Sequence, residues 1–149
     1  MSLPLVQGVK AHFPESRTTL IVKKELSDLW KDQPGADEIV EWDPDLERPS
    51  KLLGIIKKHD FDLSFLLATS REIASIHADA GIPMRVGCDF WGRKSFLTHF
   101  LPTNGFPTDP ELVRRHMVRN YLNLSRLVSI RPRFVRPQLA LDGERRPRY

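Results

Sequence analysis

At 149 residues, 40% hydrophobic and 28% charged, the chain has ordinary globular composition and the length for one domain with a real core. No apolar run approaches the ~20 residues of a membrane-spanning helix; the opening MSLPLVQGVKAHFPE lacks a signal-peptide pattern; and a single cysteine, Cys88, excludes an internal disulfide. The net charge of +4 resides in the tail, where residues 131–149 carry six arginines against Asp142 and Glu144, while residues 1–130 balance 17 basic against 17 acidic residues, which argues against a broad nucleic-acid-binding face.

In chain order, Leu5, Val6, Val9 and Phe13 recur at helical spacing and Pro14 ends the run, predicting a helix over 3–13. TTLIVK (18–23) is short and β-branched and reads as a buried strand. KELSDLWKD predicts a short helix with Leu26, Leu29 and Trp30 on one side, and DEIVEWD a second strand. Ser50 is the expected N-cap of KLLGIIKKHD, whose stripe is Leu52, Leu53, Ile55 and Ile56. FDLSFLL is the most apolar strand. SREIASIHADA follows as a helix, which Gly81 ends as a left-handed cap and Pro83 keeps from continuing. MRVGC is a further short strand, and FWGRKSFLTHFLP lies in a loop. The last helix opens on a capping-box pattern, Thr108 and Glu111, and carries the stripe Val113, Met117, Tyr121, Leu124 and Val128, which reads as core packing. Prolines 132, 137 and 147 keep residues 131–149 from forming a helix and mark them as a basic linker or tail to a domain of residues 1–130.

Short apolar strands alternating with amphipathic helices predict an α/β class: a Rossmann-like, mainly parallel sheet with helices on both faces. Ligands of such sheets bind outside the carboxyl ends of the strands. Thr69, Ser70 and Arg71 follow the most apolar strand and open a helix, where free N–H groups favour an anion. The plainer reading makes Ser70 a cap and Arg71 a solvated charge. Asp60 and Asp62, two apart at a strand start, read as its solvated end. His116 and Asn120, four apart, share a helix face as ordinary polar residues. Cys88 reads as a small buried thiol. No His/Cys cluster has metal spacing and no Walker-type loop is present, so neither metal nor cofactor is expected. The chain opens on a helix where a doubly wound domain usually opens on a central strand.

The order LP…HFP, DEIVEWD, KKHDFDLSFLLATS, AGIPMRVG, GRKSFLTH and HMVRNYLNL resembles the amino-terminal domain of the ADP-heptose:lipopolysaccharide heptosyltransferases of glycosyltransferase family 9, nearest their heptosyltransferase II branch. The likeness runs from about Leu3 to Leu141 and rests on order and spacing, not on one motif. It implies the amino-terminal half of a GT-B fold, lacking its first strand. It further implies transfer of heptose from ADP-heptose to the lipopolysaccharide inner core, with the acceptor on this domain and the donor on a missing carboxyl-terminal domain. A cytoplasmic address follows, at the inner face of the inner membrane, with peripheral membrane contact and no nucleic acid.

Carried over by position, Thr69 and Ser70 match the polar turn beside the acceptor cleft. Arg85 and Gly87 match the arginine and glycine of the following strand, and Arg93 matches the arginine of the next loop. Arg93, in a glycine-containing loop beside Phe90 and Trp91, is the better phosphate candidate, because a guanidinium holds phosphate through two parallel hydrogen bonds. Arg85 is as readily an acid's partner. The sequence departs from the family in three ways. It has no first strand with a Gly-Asp turn, so no residue here is assigned as catalytic base. It ends where the inter-domain linker begins. It places Glu72 where the family carries a lysine or arginine, with Arg71 one residue earlier. A domain inactive on its own is the expectation. The alternative is a degenerate, non-catalytic module that binds an anionic saccharide or a protein partner.

Overall fold

The computed structural model describes residues 2–103 and 117–130. The elements in chain order are α1 (Leu3–His12), β1 (Thr19–Val22), α2 (Lys24–Ser27), β2 (Glu38–Glu41), α3 (Pro49–His59), β3 (Leu63–Leu66), α4 (Arg71–Asp79), β4 (Met84–Cys88), a 3-10 turn (Arg93–Phe96), β5 (His99–Leu101) and α5 (Met117–Arg126). Every strand pairing is parallel. Among the described residues the strands form two sheets, β1-β2 and β3-β4-β5, so β1, β2, β3 and β5 each pair along one edge. The mixed α/β class and parallel pairing follow the sequence; the division into two sheets is a finding of the structure.

Side-chain alternation sorts the helices into two layers. Leu63, Phe65, Val86 and Cys88 point to the face where Tyr121 and Leu124 of α5 pack, with Val128 just beyond its end, and α1 packs against α5. Leu66 points to the other face, onto Ala74 of α4 and Leu97. On that face α3 and α4 share a second cluster, in which Leu52, Ile56, Ile76, Trp42 and Ile82 enclose Ile21 of β1 and Phe61 before β3. Because Ile21 and Phe61 rest on the same helix pair, one layer of helices covers both sheets.

Several boundaries differ from expectation. The third helix begins at Pro49, with Arg48 as its extended N-cap, so Ser50 lies inside the first turn and caps nothing. Proline's fixed φ and missing N–H suit the first helical position, and this outweighs the cap preference of serine. The second helix stops at Ser27, and Leu26 and Leu29 are 46% and 49% exposed. The segment expected as loop after β4 holds both the 3-10 turn and β5. Asp60 and Asp62 are exposed, as a solvated strand end requires. Cys88 is a buried free thiol whose burial pushes its pKa up. The Thr108/Glu111 capping box, Val113, His116 and the basic tail lie outside the described residues.

Candidate functional site

The carboxyl ends of β3 and β4 lie side by side, with Leu66 in register with Gly87. The chain leaves β3 through Ala68 and Thr69, both exposed, and reaches Ser70 in extended conformation. Ser70 is a true N-cap: its side chain accepts from the Ile73 N–H at 3.3 Å, satisfying one of the donors that every helix start leaves free. Arg71 and Glu72 occupy the first turn and are exposed. The Arg71 guanidinium lies 5.5 Å from the centre of the Phe96 ring, a cation–π distance. At the far end of the helix, Gly81 takes φ 81°, the left-handed conformation a helix terminator needs.

Arg93 is buried completely, at 0% exposure. Its Nε donates to the Cys88 carbonyl at 2.6 Å, its Nη2 to the Leu66 carbonyl at 3.3 Å, and its Nη1 to the Ala68 carbonyl. The guanidinium also sits 5.7 Å from the Phe90 ring centre. No carboxylate among the described residues forms an ion pair with it. Carbonyl dipoles and the aromatic face replace a counter-ion, and desolvation pushes its pKa down. Arg93 therefore pins the end of β4 to the end of β3 and to the turn that carries Thr69 and Ser70. Gly87 makes room for it: a Cβ there would meet Arg93 Nη2, the Leu66 carbonyl oxygen and Leu97 Cδ2, each at 3.3 Å.

Arg85 is placed elsewhere. It is the second residue of β4, three before the carboxyl end, or about 10 Å along an extended strand. Its Nε donates to the Phe96 carbonyl at 2.7 Å and its Nη1 to the Ile82 carbonyl. The structure thus gathers Thr69, Ser70, Arg71 and Arg93 at one edge and leaves Arg85 toward the other end of the strand. Thr69 and Arg71 face solvent, whereas Arg93 acts behind them on the main chain.

The loop after β4 contributes residues the sequence reading did not assign. The Lys94 N–H donates to Asp89 Oδ1 at 3.0 Å, and the Lys94 ammonium lies 4.8 Å from the centre of the Phe100 ring. Trp91, paired with Phe90 in the sequence, is 64% exposed. Its Trp-Gly step was the available signal, since Gly92 takes a left-handed φ of 68°. With Arg71, Arg93 and Lys94 set against Glu72 and Asp89, the edge carries a net positive charge.

No protein-family model matches the sequence, and no curated protein matches it. Solved structures do match in shape. ADP-heptose lipopolysaccharide heptosyltransferase II of E. coli superposes with a TM-score of 0.75 at 20% identity, over 96% of this chain and 43% of that one. A glycosyl transferase family 9 structure from Veillonella parvula superposes with a TM-score of 0.66 at 16% identity, over 87% of this chain and 37% of that one. The chain spans less than half the length of either. Its structural neighbours are thus a heptosyltransferase and a family 9 glycosyltransferase, and its fold is that of the matched part of the GT-B heptosyltransferase.

Proposed function

We propose that this chain supplies the acceptor-side domain of a glycosyltransferase that moves heptose from ADP-heptose to the lipopolysaccharide inner core. The observation that carries the reading is the superposition on heptosyltransferase II over 96% of the chain. Thr69, Ser70 and Arg71 meet the acceptor: two hydroxyls suit sugar hydroxyls, and the guanidinium suits a phosphate or carboxylate. Arg93 shapes this turn from behind, and Arg85 fixes the base of β4. The donor and the group that takes the proton from the attacking hydroxyl belong to parts of the enzyme with no counterpart assigned here, so the domain is inactive alone. On this reading residues 1–130 are the domain and residues 131–149 a basic inter-domain linker or tail. Among the described residues no helix is long and apolar enough to cross a membrane, and contact with the inner face of the membrane is peripheral.

The reading is tested by calorimetric titration with delipidated inner-core oligosaccharide, beside a transfer assay containing ADP-heptose. Binding without transfer is expected, with affinity lowered about tenfold in Arg71→Ala. An oligosaccharide that does not bind the wild-type chain overturns the acceptor role. Binding together with transfer overturns the assignment of an inactive domain. A degenerate, non-catalytic module that holds an anionic saccharide or a protein partner is the second reading, favoured by the exposed Glu72 in the turn where the family carries a lysine or arginine. It predicts binding that persists with saccharides unrelated to the inner core.

A further inference from the structure

The outer and inner edges of the two sheets are made differently. Ile21 of β1 reaches the cluster on α3 and α4 that also takes Phe61 before β3, so β1 and β3 are the inner strands of their sheets. Among the described residues these two strands do not pair with each other; β1 bonds to β2 and β3 to β4. Open strand edges are ordinarily kept short or guarded by charge. The outer edges follow this rule: β2 reads EIVE, with Glu38 and Glu41, and β5 has three residues, one of them His99. The inner edges do not. β1 reads TLIV and β3 reads LSFL, without charge or proline. Leu20, Ile21, Val22, Leu63 and Phe65 are only half-buried, whereas parallel strands between two helix layers are normally covered on both faces. The Ser64 hydroxyl of β3 is buried, yet finds no hydrogen-bond partner among the described residues.

Two unpaired main-chain edges under one helix layer are both satisfied by main chain in extended form. The ladders on either side are parallel, which sets its direction, and β1 and β3 have four residues each, which sets its length. With α3 and α4 on one face and α5 on the other, both sets of its side chains meet apolar surroundings. Proline is excluded, because it has no N–H for a ladder. The described strands are already engaged, and a second copy offers only the same engaged strands. Residues 104–116 and 131–149 contain one uncharged, proline-free run of four, QLAL at 138–141, and none of its residues is β-branched. We propose that the β1 and β3 edges form a docking slot for a partner polypeptide, which adds one uncharged, β-branched strand parallel to both. The proposal is independent of the acceptor reading, since it concerns the flanks of these strands and not their carboxyl ends.

The test is amide hydrogen exchange on the whole chain, with and without a synthetic peptide. The probe is TTLIVK, a copy of residues 18–23, because that sequence already forms a parallel ladder with β2. The control is TTPIPK, which keeps an apolar residue but loses two N–H groups. TTLIVK should slow exchange about tenfold or more in both 19–22 and 63–66, and leave 84–88 as it was. TTPIPK should change neither edge. Protection of one edge without the other would mean simple addition to an open edge and would overturn the slot. Equal protection by both peptides would mean adhesion of apolar side chains without strand pairing, which also overturns it. If TTLIVK protects nothing up to its solubility limit, or if both edges are already protected in the free chain, no slot exists. Protection that grows with protein concentration in the absence of peptide would assign the edges to a second copy and overturn the choice of partner.

Discussion

The two sheets are built from the same kind of parallel pairing and are held by different forces. In β1 and β2 no residue is fully buried, and Glu41 is exposed. Beside the packing of Ile21 on α3 and α4, their side-chain fixings are polar pairs near the surface: Lys10–Asp37 at 2.8 Å, Arg17–Glu38 at 3.0 Å and His59–Glu38 at 3.2 Å. In β4 the last three residues, Val86, Gly87 and Cys88, are all buried, and the fixing is a desolvated guanidinium bonded to main-chain carbonyls. Exposed pairs are screened and exchange readily with water, so their removal is cheap. A buried cation has no water to return to, and neither do the carbonyls it serves. The candidate site lies on the second kind of support, which suits a surface that must hold hydroxyls and a cation at fixed spacing.

The largest expected effect therefore comes from Arg93. Arg93→Met fills much of the volume but abandons the carbonyls of Leu66, Ala68 and Cys88. It should cost about 3–5 kcal/mol, seen as a lower urea midpoint with unchanged slope. Arg93→Lys should recover only part of this, because one ammonium cannot reproduce a planar fork. A loss below about 1 kcal/mol would erase the difference between the halves.

Arg93 also marks the limit of what the sequence discloses. The β3–α4 junction was legible, because Ser70, the apolar stripe and Gly81 act on near neighbours. The α5 stripe was legible for the same reason: Tyr121 and Leu124 follow helical periodicity onto Val86 and Cys88, and Val128 joins them from the turn after the helix. An arginine in a polar loop carries no local sign of burial, since two of its partners lie 25 and 27 residues away and are carbonyls, which every residue has. The three residues of β5 are too few to show alternation. Apolar β-branched runs foretold parallel strands but not which edges would pair, so the division after β2 is a tertiary fact.

The next effect separates the halves by pH. His77 of α4 is largely buried and its Nδ1 has no hydrogen-bond partner among the described residues. Burial, then the nearby Arg85 charge, lowers its pKa to about 4 from the usual 6.5. A depressed histidine is neutral in the folded state, while the unfolded state takes up a proton below pH 6.5. Stability is thus complete above 6.5 and falls by about 1.4 kcal/mol per pH unit toward pH 4, near 3 kcal/mol in total. His77→Leu should flatten that slope in urea titrations between pH 7 and 4. The difference between wild type and variant isolates the effect, because His59 moves oppositely. The Ile55 carbonyl and then Glu38 raise its pKa, so its contribution is present below 6.5 and lost as pH rises through the raised value. Equal slopes in the two proteins would mean that His77 is charged in the fold.

The smallest effect is expected at Lys10, and its salt dependence is what makes it useful. The ammonium donates to the Ser16 carbonyl at 2.6 Å and to both Asp37 oxygens, at 3.0 and 2.8 Å, joining α1 to the approach of β2. The Lys10 bond, and after it the Thr18 N–H, hold the Asp37 carboxyl below its ordinary range. That contribution is complete above the ordinary carboxylate value of 3.8 and is lost as pH falls from there through the lowered value, below the window in which His77 acts. Both partners are partly exposed, so screening limits the pair. Lys10→Gln should lower the melting temperature by about 2 °C or less in dilute buffer, and by nothing measurable in 1 M salt, where the Debye length is about 3 Å. The Arg93→Met deficit should persist in that salt, because ions do not reach a guanidinium enclosed by Leu66, Ala68 and Cys88. If salt rescued both variants alike, the guanidinium would have to be solvated, and the turn carrying Thr69 and Ser70 would lose its rigid backing.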